Sequence, residues 1–426
     1  MEKYDLIIIG GGPAGYAATV SACEAGMKVA VIEKEKIGGV CVNFGCIPTK
    51  ALLRFAALKK EGQNISFADA ISRAETIAKS RSEKILELVE QLGGRLLADT
   101  VVKVEPEKVT LASGEIIEGK NILIATGSSA RKLPIAEYDD LHIVTSKEAL
   151  KLDTVPETAV VVGTGATGIE LATVWSRFGA DVTVLEMLPN IMGFDDEEIT
   201  REAIAAYAAQ GIKIRTEVTV TSVKLAGEKA VVSYKDADGE YQISADRVLV
   251  AAGIVPTSFG MGLEDLGMNI QRGNIQVDDE MRTNIPGIYA AGDVTGKLAL
   301  AYASSKQGKG AVASMLGKAE GAIDYSMTPR CIFAAIEGAF VGPTEKQAKA
   351  AGKNVISKKV PLVSFNGNFV GDIAGIAKIV AEEDSKKALG VSIMGPDAAD
   401  YIAAPAIMIG NGASLNEVAE VLMSGR

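Results

Sequence analysis

Two of the four cysteines in this 426-residue chain stand five residues apart, Cys41 and Cys46, in the stretch GGVCVNFGCIPTK from Gly38 to Lys50. Four cysteines are too few for a disulfide scaffold, so a close pair in a reducing compartment points to redox or metal chemistry. Metal is the weaker option, and no metal site is assigned. Zinc takes roughly four ligands, and the chain has a single histidine, His142, and no second close cysteine pair. The balance of 54 acidic against 44 basic residues, with pI near 5.0, offers no basic stripe for nucleic acid and no polybasic patch for a membrane surface. The N-terminal apolar run, Leu6–Ile9, is four residues long, and no later segment is expected to reach the length of a membrane span. These features read as a cytoplasmic protein. The length suggests about three domains, and 48% hydrophobic residues suffice for several cores.

The elements that must carry such chemistry show themselves as a repeat. LIIIGGGPAGYAATVSACEAGMKVAVIEK and VVVGTGATGIELATVWSRFGADVTVLEM each hold a β-type run, Gly-x-Gly-x-x-Gly, a helical pattern, a glycine break, a second β run and a terminal Glu. From Gly10 to Glu33 and from Gly163 to Glu186 the spacing is the same 23 residues. A lone glycine motif is weak, but the flanking strand, the helix and the distant acid make each copy a dinucleotide fingerprint. Gly10 and Gly163 allow the tight turn, Gly12 and Gly165 let the backbone approach a pyrophosphate, and Gly15 and Gly168 let the helix pack against the sheet. The pyrophosphate sits at the helix N-terminus, where amides and dipole favour negative charge. Glu33 and Glu186 each accept hydrogen bonds from a ribose.

Two dinucleotides are therefore implied. Glu186 is followed by Met187 and Leu188, with no arginine to neutralise a 2′-phosphate, so the second site prefers NAD to NADP. The first reads as an FAD site. GIYAAGDVTGK ends a β-type run at Gly292 and Asp293, and a helical stretch opens near Leu300. An acid there can accept from a ribitol, and the helix N-terminus can stabilise negative charge on a reduced flavin. NILIATGS ends likewise in a turn at Thr126 and Gly127, suited to close approach by a cofactor.

With these motifs in this order, the whole chain resembles the flavin-dependent pyridine-nucleotide disulfide oxidoreductases, and GGVCVNFGCIPTK is most similar to dihydrolipoamide dehydrogenases. The resemblance implies an α/β fold: two Rossmann-like nucleotide-binding domains, for FAD and NAD, plus an α+β C-terminal interface domain that makes a homodimer. The FAD domain is expected over residues 1–147 with a central segment 269–325, the NAD domain over 148–268, and the interface domain over 326–426, beginning before FVGPTEKQAKAAG. It also implies that Cys41 and Cys46 are the redox-active pair, Cys46 beside the flavin and Cys41 forming the mixed disulfide with substrate. The helix expected in IPTKALLRFAALKK, together with Lys50, favours the thiolate that such exchange requires. Lys50 matches the family's flavin-contacting lysine, and Glu170 is its expected partner.

Some residues argue the other way. Cys23, on the apolar face of the first helix, and Cys331, in RCIFAAI, read as core residues, and His142 as structural. The family's proton-transferring His-Glu pair lies in a C-terminal His-Pro-Thr-Leu-Ser-Glu stretch, which is expected where this chain reaches Arg426; truncation and natural variation both account for that. Ile254 stands where the family usually has arginine. The expected function is NADH/FAD-dependent exchange with a lipoyl-bearing protein or small disulfide. The alternatives are a diaphorase-like reductase of a non-lipoyl acceptor and a cofactor-binding subunit of a larger complex.

Overall fold

The computed structural model describes residues 3–194, 196–319, 321–362 and 375–424. They form two compact units, one built from the chain up to Ala51, Ser72–Arg131 and Ile254–Tyr325, the other from Leu52–Ile71, Lys132–Gly253 and the chain from Ser326.

In the first unit the β-branched run Lys3–Ile9 is the central strand. It pairs in parallel with Val29–Ile32 on one side and Ile116–Ile124 on the other. Both faces are buried, one by the helices Pro13–Glu24 and Ala301–Met315 and the other by residues 101–111 and 261–294, so Leu6–Ile9 reads as a continuous apolar run rather than an alternating one; Leu6, Ile7 and Ile8 are fully buried. Arg95–Leu97 extends the sheet beyond Val29–Ile32, and Lys108–Leu111 and Val101–Glu105 add antiparallel strands beyond Ile116–Ile124. Ile288–Ala290, far along the chain, adds in parallel to Ile116–Ile124.

The second unit contains the repeat of this design. Its parallel sheet runs in the order Ile212–Arg215, Asp181–Leu185, Thr158–Val162, Arg247–Val250 and Ile143–Val144. An antiparallel three-strand sheet, Thr219–Ala226, Lys229–Lys235 and Glu240–Ala245, follows. The C-terminal part is an antiparallel five-strand sheet, from Arg330–Ile332 to Val355–Leu362, against which the helices Ala403–Gly410 and Leu415–Met423 bury Ile409, Val418 and Leu422. The expected α/β class with an α+β C-terminal part is what these sheets show. The first unit breaks off at Arg131 and resumes at Ile254. Ile143–Val144 pairs with Arg247–Val250, and Ile254–Pro256 pairs with Ser128–Ala130.

The continuous stretch Gly39–Lys60 is long and apolar enough, by length and composition, to cross a membrane, where the sequence reading expected no such segment. It is two helices, Gly39–Phe44 and Cys46–Lys60, broken at Gly45, and its apolar Leu52, Leu53 and Ala56 are buried within the protein.

A buried ion cluster joins three elements of the second unit. Lys378, 8% exposed, places Nζ 2.7 Å from Asp196, 3.1 Å from Glu345 and 3.3 Å from Glu198. Lys378→Ala strands the buried Asp196 carboxylate without its counter-charge, while Glu345 keeps Lys349 and Glu198 keeps Lys359, so it is expected to cost about 3–5 kcal/mol, read by urea unfolding. Lys349 first, then Ser357 and Lys378, hold the Glu345 carboxyl down to about 2. A depressed carboxyl contributes stability that is complete above its ordinary value near 4.5 and is lost as pH falls through about 2. The parent should therefore lose stability across that window, and Lys378→Ala should lose less there, because part of the loss has already occurred.

Candidate active site

The cysteines are positioned by the first fingerprint. Gly38 N–H donates to Gly11 O at 2.8 Å, and a Cβ on Gly39 would lie 2.8 Å from Gly12 Cα. The short helix Gly39–Phe44, which carries Cys41, thus starts against the first glycine turn. Asn43 Nδ2 ties it down by donating to Ile37 O and Gly39 O, each at 3.0 Å, and Ser82 Oγ donates to Ile37 O at 2.6 Å. Gly45 breaks the path, and Cys46 opens the helix Cys46–Lys60. Cys41 and Cys46 are joined as a disulfide, with Cα atoms 4.6 Å apart. Cys46 sits at a helix N-terminus, where the dipole favours a thiolate once the bond is reduced. Lys50 lies one turn further along the same helix. Cys23 and Cys331 are half-buried and packed at the edges of cores, and burial raises the Cys23 pKa.

Both fingerprints fold alike. Gly10 has φ +103°, and a Cβ there would meet Ala125 O at 2.4 Å; Gly163 has φ +105° and would meet Ala251 O at 2.5 Å. Glu33 Oε2 accepts the Gly11 N–H at 2.8 Å, and its Oε1 accepts the Glu35 N–H at 2.9 Å. Glu186 repeats this: Oε2 accepts from Thr164 N at 2.8 Å and Thr164 Oγ1 at 2.6 Å, and Oε1 accepts from Leu188 N at 2.9 Å. Each carboxylate is oriented by the backbone donor one residue after the first glycine of its motif and by the donor two residues beyond itself, and each retains lone pairs for a ribose. Gly12 and Gly165 lead into the helices Pro13–Glu24 and Ala166–Arg177, and a Cβ on Gly165 would meet nothing within 4 Å. The residues fit two dinucleotides.

The remaining positions expected at a flavin, Thr126, Gly127, Gly292 and Asp293, all lie in the first unit. Thr126 Oγ1 donates to Thr257 O at 2.6 Å, and Thr257 N–H donates to Gly127 O at 2.9 Å, fixing the turn at Gly127, whose φ is +67°. Asp293, first residue of the turn Asp293–Thr295, accepts from Ser128 Oγ at 2.7 Å through Oδ2 and lies 3.5 Å from Ser304 Oγ through Oδ1. Gly292 has φ +86°, a backbone state that strongly favours glycine.

Lys50 belongs to the first unit and Glu170 to the second. Glu170, 2% exposed, accepts the Phe333 N–H at 3.0 Å through Oε1, and Thr173, one turn later, accepts the Ala335 N–H at 2.9 Å. Alternate donors of the C-terminal segment thus meet one face of the helix Ala166–Arg177. His142 Nδ1 lies 2.7 Å from Asp139 Oδ2. Despite burial, the Ile143 N–H, His142 and further turn amides bring the Asp139 carboxyl down to about 2, so the pair closes a turn. Among the described residues no cluster of three metal-ligating side chains occurs.

A reducible sulfur pair anchored to one nucleotide turn, with a second such turn in the same chain, defines an oxidoreductase that uses two nucleotides. Residues 4–308 match the family model for pyridine nucleotide-disulphide oxidoreductases, and residues 328–424 match that family's dimerisation domain. The chain belongs to this family; it is an FAD-dependent, NAD-linked disulfide oxidoreductase. The dimerisation domain supports a homodimer. The chain is 34% identical to dihydrolipoyl dehydrogenase of Chlorobaculum tepidum, over 94% of this chain and 89% of that one. It is 32% identical to leghemoglobin reductase of Glycine max, over 99% and 84%. The crystal structure of LpdA from Mycobacterium tuberculosis superposes with a TM-score of 0.88 at 28% identity, over 99% of this chain and 95% of that one.

Proposed function

We propose that the enzyme is a cytoplasmic reductase of lipoyl-type disulfides, working through Cys41 and Cys46, with FAD on the first fingerprint and NAD on the second. The observation that carries this is the disulfide itself, held at the start of a helix and pinned to the Gly11–Gly12 turn. Bound FAD supplies the two-electron link between NADH and the disulfide. Once reduced, the Cys41 thiolate attacks one substrate sulfur, the S–S bond of the lipoyl ring breaks, and the freed thiolate takes a proton while the ring-opened substrate stays attached to Cys41 through its other sulfur. Cys46 then attacks the Cys41 sulfur, restoring the disulfide and releasing the second substrate thiol. Lys50, one turn along the helix that Cys46 opens, keeps positive charge near the reacting sulfurs, and Phe333 N–H orients Glu170. Gly10, Gly12, Gly15, Glu33, Thr126, Gly127, Gly292 and Asp293 hold FAD in a domain of residues 1–147 and 269–325. Gly163, Gly165, Gly168 and Glu186 hold NAD in 148–268, and residues 326–426 form the interface domain.

A second reading, NADH-dependent reduction of a non-lipoyl acceptor, is favoured by His142. It is the only histidine of the 426 residues and is bonded within its own turn to Asp139.

The test is a steady-state comparison of lipoamide, glutathione disulfide and a quinone with NADH or NADPH. Lipoamide with NADH is expected to give the highest kcat/KM, and NADPH to be at least about tenfold poorer, since a 2′-phosphate would face the Glu186 carboxylate and a gap of 1.4 kcal/mol is tenfold. Glu186→Arg should narrow that gap. Faster turnover of the quinone than of any disulfide would favour the second reading, and equal use of both nucleotides would remove Glu186 from the NAD site.

A further inference from the structure

The helix Ala301–Met315 lies along the fingerprint helix Pro13–Glu24, so closely that a Cβ on Gly308 would come within 2.1 Å of Ala14 O. The same face carries Ser304, whose Oγ is 3.5 Å from Asp293 Oδ1, and Gln307, whose Oε1 accepts the Gly292 N–H at 2.7 Å. Gln307 is fully buried. Its Oε1 also lies 3.5 Å from Thr295 Oγ1, which donates to Gly292 O at 2.8 Å, so both polar groups of the Gly292 peptide unit and its neighbours are held from this side. The other half of the carboxamide is treated differently. Nε2 of Gln307 and the phenolic oxygen of Tyr325 are both buried without a hydrogen-bond partner. They are neighbours: burial pushes the Tyr325 phenol up, and the Gln307 side chain pulls against it.

An unsatisfied buried donor costs on the order of 1–3 kcal/mol. A core amide that leaves its donor half unmade is retained for its acceptor half, and here that half fixes a glycine in a conformation few residues adopt. We propose that Gln307 is a positioning residue of the flavin site, setting the Gly292–Asp293 turn through its carboxamide oxygen and thereby the affinity for FAD. This rests on the placement of FAD at Asp293.

The experiment measures FAD binding to apoprotein and the midpoint potential of the reconstituted flavin, beside far-UV circular dichroism. Gln307→Leu leaves the Gly292 N–H buried without an acceptor, and FAD affinity is expected to fall about ten- to hundredfold. Gln307→Glu keeps the acceptor and offers a second oxygen to Tyr325. It should retain affinity within about threefold, with a more negative flavin potential because a carboxylate opposes the charge gained on reduction. Parent-like affinity in Gln307→Leu overturns the proposal, as does Gln307→Glu binding as weakly as Gln307→Leu, which would assign the site to packing alone. Should Gln307→Leu fail to fold, Gln307→Glu and Tyr325→Phe decide: both are expected to bind FAD as the parent does, and a tenfold loss in either overturns the role of the Gln307 oxygen. Asp293→Ala, run in parallel, separates the two readings. Undiminished affinity there overturns the placement of FAD at this turn, whereas loss there with none in Gln307→Leu overturns only the role of Gln307.

Discussion

Cys46→Ser is expected to abolish NADH-driven disulfide reduction, by more than about 10³-fold, as removal of a residue that acts as part of a covalent unit does. The reasoning follows the sulfur bookkeeping. Cys41 in the variant can still attack a substrate disulfide and release one thiolate, but no second thiol is present to break the mixed disulfide. With an open-chain substrate such as glutathione disulfide the enzyme should stop after one event per subunit, and mass spectrometry should find one substrate half attached to Cys41; with lipoamide the freed thiolate stays tethered and recloses the ring, so no turnover results. FAD content should be unchanged, since Cys46 lies outside both fingerprints, and NADH should still drive reduction of an artificial acceptor that bypasses the sulfurs. Turnover of lipoamide above a tenth of the parent rate would show that the pair has been misassigned. Cys41→Ser supplies the opposite control: loss of turnover without any trapped adduct.

The second large effect is expected from a single methyl group. A Cβ on Gly15 would stand 1.9 Å from Gly10 O and 3.0 Å from the carbonyl carbon, both backbone atoms of a turn already at positive φ. Neither atom belongs to a flexible side chain that could swing aside, so Gly15→Ala must push the helix Pro13–Glu24 off the sheet. Overpacking of ordinary cores costs about 1–3 kcal/mol, and a clash with a fixed carbonyl should reach at least the top of that range. The expected product is a colourless, less stable protein. Gly168→Ala meets the same obstacle, Gly163 O at 2.1 Å, in the other fingerprint. It should remain yellow and lose NADH affinity instead. A yellow Gly15→Ala protein with parent stability would contradict the account of the first turn.

The two fingerprints were legible in the sequence because their geometry leaves glycine no substitute, and because Glu33 and Glu186 lie a fixed distance along adjacent strands. The cysteine pair was legible through its rarity. What escaped was contact between distant segments. Nothing near Thr126 announces that its hydroxyl meets Thr257 O, nor does anything near Glu170 announce the Phe333 N–H, 163 residues away. Gln307 reads as one polar residue in a helix rich in small ones until Gly292 is placed beside it. The helix Gly39–Phe44 was missed for a local reason: glycines at 38, 39 and 45 suggest a loop, and Asn43 folds back onto Ile37 and Gly39 to hold a single turn and a half. Asn43 was the available signal, as a side chain able to cap several carbonyls at once.

The late strand Ile288–Ala290 has a consequence for how the protein is made. The ribosome releases Lys3–Ile9, Val29–Ile32 and Ile116–Ile124 early, and Lys108–Leu111 pairs with the start of Ile116–Ile124, yet the end of that strand, residues 122–124, stays without its outer neighbour until residue 290 has emerged. Asp293 and Gln307 follow only after that. The parallel sheet around Thr158–Val162, by contrast, has all of its strands once Val250 is out. The second fingerprint therefore has its whole sheet while the first is still waiting, and on the proposed placement of FAD its capture follows the emergence of Asp293 and Gln307 rather than that of the first fingerprint.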